Sequence, residues 1–200
     1  MSARAQASAV LQPHPDTPGT VVESIESTIS WTSSRVLTVT YKLSGLVDRL
    51  RILPERSPGR SDDLWRHTCF ELFVGAQNDA EYYEFNFSPS GESAVYEFRD
   101  YRDGGPFSSD AIEPMIAVQH DPRAFQLNAV VRLDRLPGIQ SHIRLSLGLS
   151  AVIEDFNGAL SYWALRHPPG KPDFHHPESF VLQIEPTIGD GAAIDYSGDR

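Results

Sequence analysis

Alternation with a period of two runs through most of the chain and constrains its fold more than any other feature. In RVLTVTYKL, Leu37, Val39, Tyr41 and Leu43 alternate with Val36, Thr38, Thr40 and Lys42. In HIRLSLGLSAVI, Ile143, Leu145, Leu147 and Leu149 alternate with Arg144, Ser146, Gly148 and Ser150. Successive side chains of a strand point to opposite faces, so such runs predict half-buried strands. VVESIESTI, LVDRLRIL, LWRHTCFELFVGA, EYYEFNFS, ESAVYEFRDY, IEPMIAVQH, AFQLNAVVRL, LSYWALRH and ESFVLQIE read the same way. They are separated by turn chemistry such as SPSG, RDGGP, HDPR, RLPG and DFNG. About eleven strands result, with no long apolar stripe at helical spacing and no fixed-length repeat. An all-β, antiparallel fold, sandwich or barrel, is expected, and a parallel βαβ arrangement is disfavoured.

Two hundred residues suit one domain. Residues 1–20 read as a disordered lead-in, 21–186 as the folded domain and 187–200 as a flexible tail. No apolar run reaches the length of a membrane span, and the N-terminal stretch is less apolar than a secretory signal. Seventeen basic against 27 acidic residues give a net charge of −10, which repels a phosphate backbone. Neither nucleic acid nor a membrane is therefore expected as a partner. The solitary Cys69 excludes an internal disulfide and a cysteine-rich zinc site. A reducing compartment is permitted, and a cytoplasmic location is expected.

Polar residues interrupt strands that otherwise look fully buried. In TCFELFV, Phe70, Leu72 and Val74 point one way while Cys69, Glu71 and Phe73 point the other, with Trp65 and His67 preceding them. In the next strand Tyr83, Phe85 and Phe87 oppose Tyr82, Glu84, Asn86 and Ser88. Glu97, Arg99 and Tyr101 share a face of residues 95–101, and Gln126, Asn128 and Arg132 one of residues 126–132. With Trp163, these would decorate one sheet. Such a face is either a solvated wall, as antiparallel sheets commonly carry, or a concave ligand platform in which rings stack and carboxylates, amides and arginines fix hydroxyls.

SYWALRHPPGKPDFHHPESF places Ser161, Trp163, Leu165 and His167 on one strand face. The chain then enters a loop stiffened by Pro168, Pro169, Pro172 and Pro177. A stiff loop loses little entropy on ligand docking, which argues for Asp173, His175 and His176 near a site. The competing expectation is a structural loop anchored by Phe174 and Phe180. His167, Asp173, His175 and His176 carry metal-ligand chemistry, but the adjacent, loop-borne histidines lack the spacing of helical zinc pairs. Asp62 and Asp63 leave room for calcium without an EF-hand pattern. Glu71 and Glu84 are the one candidate carboxylate pair for glycoside cleavage. There is no GxSxG elbow, Walker loop or dinucleotide GxGxxG. Cys69, two residues from His67 on one strand, reads as a packing residue.

Three blocks in order, LWRHTCFELFV, YYEFNFSPSGESAVYEFRDYR and SYWALRHPPGKPDFHHPESFVL, resemble bacterial DOMON-like proteins. These are related to family 9 carbohydrate-binding modules and to the sugar- or haem-binding DOMON superfamily. The resemblance spans residues 35–185. It implies a two-sheet β-sandwich of jelly-roll type that holds a small ligand, a carbohydrate above all, on one concave sheet without catalysing a reaction. It also implies that Trp65 and Glu71 border the ligand, that Trp163 supplies a stacking ring, and that Arg99 and Arg102 meet sugar hydroxyls. A second tryptophan to complete a sugar sandwich is missing, since Trp31 lies outside the blocks. Of the methionine–histidine pair that would ligate haem, the fold offers only Met115. The expected binding set is Trp65, His67, Glu71, Glu84, Asn86, Arg99, Tyr101, Arg102, Trp163, His167, Asp173 and His175, with no obligatory cofactor. A glycoside-processing enzyme, a haem binder and a protein-interaction module remain the alternatives.

Overall fold

The computed structural model describes residues 5–31, 36–107, 112–139 and 143–185. These residues are nearly all β: thirteen strands joined by turns and short 3₁₀ segments, with no α-helix among them. The strands are β1 (Ala5–Pro13), β2 (Val22–Trp31), β3 (Val36–Gly45), β4 (Gly59–Arg60), β5 (Cys69–Ala76), β6 (Tyr82–Phe87) and β7 (Glu92–Asp100). They continue with β8 (Asp103–Pro106), β9 (Met115–His120), β10 (Ala124–Arg132), β11 (Leu145–Glu154), β12 (Leu160–Ala164) and β13 (Leu182–Ile184). One continuous sheet runs in the order β4-β7-β6-β5-β11-β12-β1-β2-β3-β10-β9, with β13 added beside β11 and β8 beside β7. All pairings are antiparallel except the two-residue contact of β4 with β7.

The sheet curls because β1 serves both of its limbs. Ala5 to Leu11 pair with β2, whereas Gln12 and Pro13 pair with Ala164 and Trp163 of β12. The limb β1-β2-β3-β10-β9 thus turns its apolar face onto that of β7-β6-β5-β11-β12. Leu37, Val39, Tyr41 and Leu43 of β3 meet Phe70, Leu72 and Val74 of β5 in one core. The rings of Phe70 and Phe125 stack across it at 5.5 Å, and Tyr41 Oη donates to the backbone oxygen of Glu71 at 2.6 Å. Each such large side chain contributes on the order of 1.5–3 kcal/mol by burial, which makes this interior the main source of stability.

The two limbs differ on their outer faces. On β3 burial alternates strictly, the pattern of a sheet with one wet side. On β5 and β6 essentially every residue is buried, because a second layer of loop covers the outer face. Three expectations need correction here. Residues 5–13 are a sheet strand and not an unstructured lead-in. Their ladder is made of backbone groups, which a bland stretch of small residues offers as well as any other, and Leu11 is buried while Val10 is exposed. LVDRLRIL is not a strand but contains a 3₁₀ turn over Val47–Arg49, whose buried Val47 and Leu50 stand at the three-residue period of that helix. Likewise, Leu64–Arg66 and Pro177–Ser179 are 3₁₀ turns where strands were expected to begin. The expected tail from 187 lies outside the described residues.

Candidate ligand site

A cleft of about 620 Å³ opens on the outer face of the β7-β6-β5-β11-β12 limb. Its floor is set by strand register. Glu84 pairs with Tyr96 and Tyr82 with Phe98, Glu71 lies between Asn86 and Ser150, and Val152 pairs with Tyr162. Glu71, Glu84, Tyr96, Phe98, Val152 and Tyr162 therefore share one face and line the cleft. One wall is the 3₁₀ turn that carries Trp65, preceded by Asp63. The other is the proline-stiffened loop with Lys171, Pro172, Phe174 and His175. Trp65 is 46% exposed, a large ring left open to solvent.

The loop is latched to the β7–β8 turn. Tyr101 Oη and Arg102 Nη2 donate to the two carboxylate oxygens of Asp173, at 2.6 and 2.8 Å. Arg102 has a left-handed backbone (φ 55°), and its N–H donates to Tyr82 Oη at 3.1 Å. Tyr82 Oη lies 2.9 Å from His175 Nδ1. The other ring nitrogen, Nε2, faces Glu84 Oε2 at 3.5 Å. The His175 ring stands edge-on to Phe73 and Phe98, with centroids 5.2 and 5.0 Å away. Burial, reinforced by the Arg102 charge, lowers its pKa to about 4, so it is neutral at pH 7.

The two floor carboxyls are pushed the other way. Burial and then the neighbouring Glu84 raise Glu71 well above the ordinary glutamate range, against the hydrogen bond from Ser150 Oγ (3.1 Å) and the Arg102 charge. Burial raises Glu84 to about 7, against the Asn86 Nδ2 hydrogen bond (2.7 Å) and Arg102. At neutral pH the pair therefore retains protons and offers both donors and acceptors to a polar ligand.

Of the twelve expected binding residues, Trp65, Glu71, Glu84, Arg102 and His175 line the cleft. Asn86 supports Glu84 from below, and Asp173 and Tyr101 form the latch behind the wall. The other four lie elsewhere. Trp163 is 3% exposed, belongs to the core between the limbs and donates to Ser161 Oγ at 3.1 Å. Because Val152 pairs with Tyr162, the preceding tyrosine is the ring of β12 that meets the cleft. Arg99 is exposed beside Asp103, 3.7 Å away. The β6–β7 register joins even positions to even ones, so Tyr96 and Phe98 face the cleft where Glu97 and Arg99 were expected. His67 Nδ1 pairs with Glu154 Oε2 at 2.7 Å. His167 Nε2 lies 2.8 Å from the carbonyl of Gln12, the ring being edge-on to His14. Gln126 and Asn128 belong to β10, in the opposite limb.

Tyr96, Phe98 and Tyr162 were recoverable by carrying parity across each hairpin from Glu84 and Glu71. Thr17, Asp63 and Lys171 come from loops and carried no periodic signal. Asp62 is taken up by Arg60 (2.5 Å) and Tyr96 Oη (2.8 Å), and Met115 is exposed on β9 in the other limb. Among the described residues no three His, Cys, Asp or Glu side chains are grouped to hold a metal ion. Cys69 is buried against Asn86 Oδ1 at 3.7 Å.

No protein-family model matches the sequence, and no curated protein matches it. Solved structures do match in fold. A protein of Bacteroides uniformis ATCC 8492, provisionally described as carbohydrate-binding, superposes with a TM-score of 0.64 at 17% identity over 87% of this chain and 84% of its own. A family 9 carbohydrate-binding module of Caldicellulosiruptor kristjanssonii, solved with glucose, gives 0.52 at 11% identity over 88% and 82% of the two chains. The same kind of module solved with cellotriose gives 0.52 at 12% over 90% and 83%. At these identities the likeness is one of fold, and the chain shares the curled, nearly all-β architecture of these proteins.

Proposed function

We propose that the protein is a non-catalytic module that binds a carbohydrate in the cleft beside Trp65. The supporting observation is the combination there of an open indole ring with buried polar groups that retain hydrogen-bonding capacity. The volume falls in the range of small-molecule sites, and a half-exposed aromatic beside convergent carboxyls and a guanidinium matches the two faces of a sugar, apolar C–H and polar O–H. The shared fold with modules solved in complex with glucose and cellotriose supports the ligand class. The facing limbs, with Phe70 stacked on Phe125, give the curled sheet a sandwich-like core, which supports the relation to the DOMON-like sandwich that the sequence blocks imply. Titration calorimetry with glucose, cellobiose, cellotriose and xylose tests the proposal. Saturable heat that Trp65→Ala weakens about ten-fold or more supports it, and flat traces across the panel overturn it.

One observation favours a second function. Glu84 is held near pH 7 beside a second carboxyl, the setting of a general acid in glycoside cleavage. Release of nitrophenol from chromogenic glycosides, abolished by Glu84→Gln, would replace binding by catalysis.

A further inference from the structure

The carboxyls of the cleft floor are short of partners. Glu71 is 3% exposed, yet among the described residues it accepts one side-chain hydrogen bond, from Ser150 on Oε2, and none on Oε1. Glu84 accepts from Asn86 on Oε1, while its Oε2 has only His175 Nε2, 3.5 Å away. The nearby cation does not fill this gap, because Arg102 is engaged by Asp173 and lies over the Tyr101 ring at 5.8 Å. Lys171 is exposed at the rim, and Asp63 adds a further carboxyl to the wall. Tyr82, Tyr96 and Cys69 supply no positive charge, and the guanidiniums of Arg66 and Arg60, which lie over the Trp65 and Tyr96 rings at 5.3 and 5.4 Å, are paired with Asp63 and Asp62. A buried carboxyl with no cation hydrogen-bonded to it is costly, so the Glu71–Glu84 pair, with an oxygen of each lacking a good partner, favours a positively charged guest.

We infer that the cleft takes a sugar bearing a protonated amine, seated between the carboxyls of Glu71 and Glu84 and against the aromatic walls. This rests on the carbohydrate-binding function proposed above and narrows its ligand class from neutral to cationic sugars. The amine donates to Glu71 Oε1 and Glu84 Oε2, the oxygens left without good partners. Its charge draws both carboxyls into their ionised forms, so protons leave the site as the ligand enters, which a neutral sugar does not cause.

Calorimetry at pH 6.0 with glucosamine, N-acetylglucosamine and glucose, each in phosphate and in Bis-Tris, tests this. Glucosamine should bind about ten-fold or more tightly than either neutral sugar, and its heat alone should change with buffer as protons are released. Glu84→Gln should bring the glucosamine-to-glucose affinity ratio close to one. If that variant fails to fold, Glu71→Gln should give the same result. Glucosamine binding no tighter than glucose, a buffer-independent glucosamine heat, or an unchanged ratio in the folded variant would each overturn the inference while leaving carbohydrate binding in place. If none of the three sugars binds, this inference fails, and the titrations with cellobiose, cellotriose and xylose decide whether the broader function fails with it.

Discussion

Glu71 and Glu84 lie on neighbouring strands as a diagonal pair offset by two residues, Glu71 opposite Asn86 and Glu84 opposite Phe73, so two buried carboxyls share one patch of the cleft floor. Their burial has a pH signature. Glu84 titrates near 7 in the folded chain and near 4.3 when unfolded. Between those values the folded state keeps a proton that the unfolded state has lost, so stability falls as pH rises through the window, by an upper bound of about 4 kcal/mol. Glu84→Gln removes that cost and keeps an acceptor for Asn86. Thermal unfolding should show the variant roughly 5–10 °C more stable than wild type at pH 8, and equal within a degree or two at pH 5. Equal melting at pH 8 would mean that Glu84 ionises freely.

His175 works in the opposite sense. Its folded pKa of about 4 lies below the unfolded value near 6.5, so stability is present above 6.5 and is lost as pH falls toward 4. From pH 6.5 to 4.5 this loss opposes the gain from Glu84 and Glu71, so the stability of wild type should change less than the carboxyl trend alone would make it. In His175→Phe, which keeps a ring between Phe73 and Phe98 and gives up the Tyr82 hydrogen bond, the trend of Glu84 and Glu71 is left unopposed. Urea unfolding should then show the variant about 1 kcal/mol or more stabler at pH 5 than at pH 7. A variant whose pH slope is no steeper than that of wild type would mean that His175 is not the opposing group.

Two of the three tryptophans, Trp163 and Trp65, separate folding from binding. Trp163 fills the core between the limbs, so Trp163→Ala should cost about 3–5 kcal/mol by leaving a cavity. Trp65 is open to the cleft, and Trp65→Ala should change stability by less than about 1 kcal/mol while weakening sugar binding. Urea midpoints and calorimetric titration, run on both variants, check the pair. Trp65→Ala that unfolds easily would make that ring structural.

What the sequence disclosed followed the reach of its signals. Alternation in β3, β5, β6 and β11 identified the core faces because burial on one side writes itself into every second residue. The residues opposite Phe70 and Phe85 were correctly seen as a second face, but whether that face was wet or covered depended on a loop a hundred residues away. Parity slipped at β7 and β12 because hairpin register is set by turn geometry, and a slip of one residue exchanges Tyr162 for Trp163 or Phe98 for Arg99. β1 gave no signal, since its place between the limbs rests on backbone hydrogen bonds. Asp63 and Thr17 reach the cleft through tertiary folding alone.

The latch at Asp173 joins the loop wall to the floor. Burial pushes the Asp173 pKa up, but hydrogen bonds from Tyr101 and Arg102 more than offset this and hold it below the ordinary aspartate value, so it is ionised at neutral pH. Asp173→Asn keeps the shape and removes the charge that holds Arg102. The guanidinium is about half exposed, so the ion pair itself should account for no more than about 1 kcal/mol of stability. Binding should suffer more. Phe174 and His175 reach the cleft through this segment, and a wall that must be ordered by the ligand lowers affinity by the entropy of ordering it. Hydrogen exchange at Phe174, His175 and His176 should quicken in the variant and sugar affinity should fall several-fold, while the melting temperature moves by no more than about 4 °C. Wild-type exchange together with wild-type affinity would mean that the prolines alone keep the loop in place.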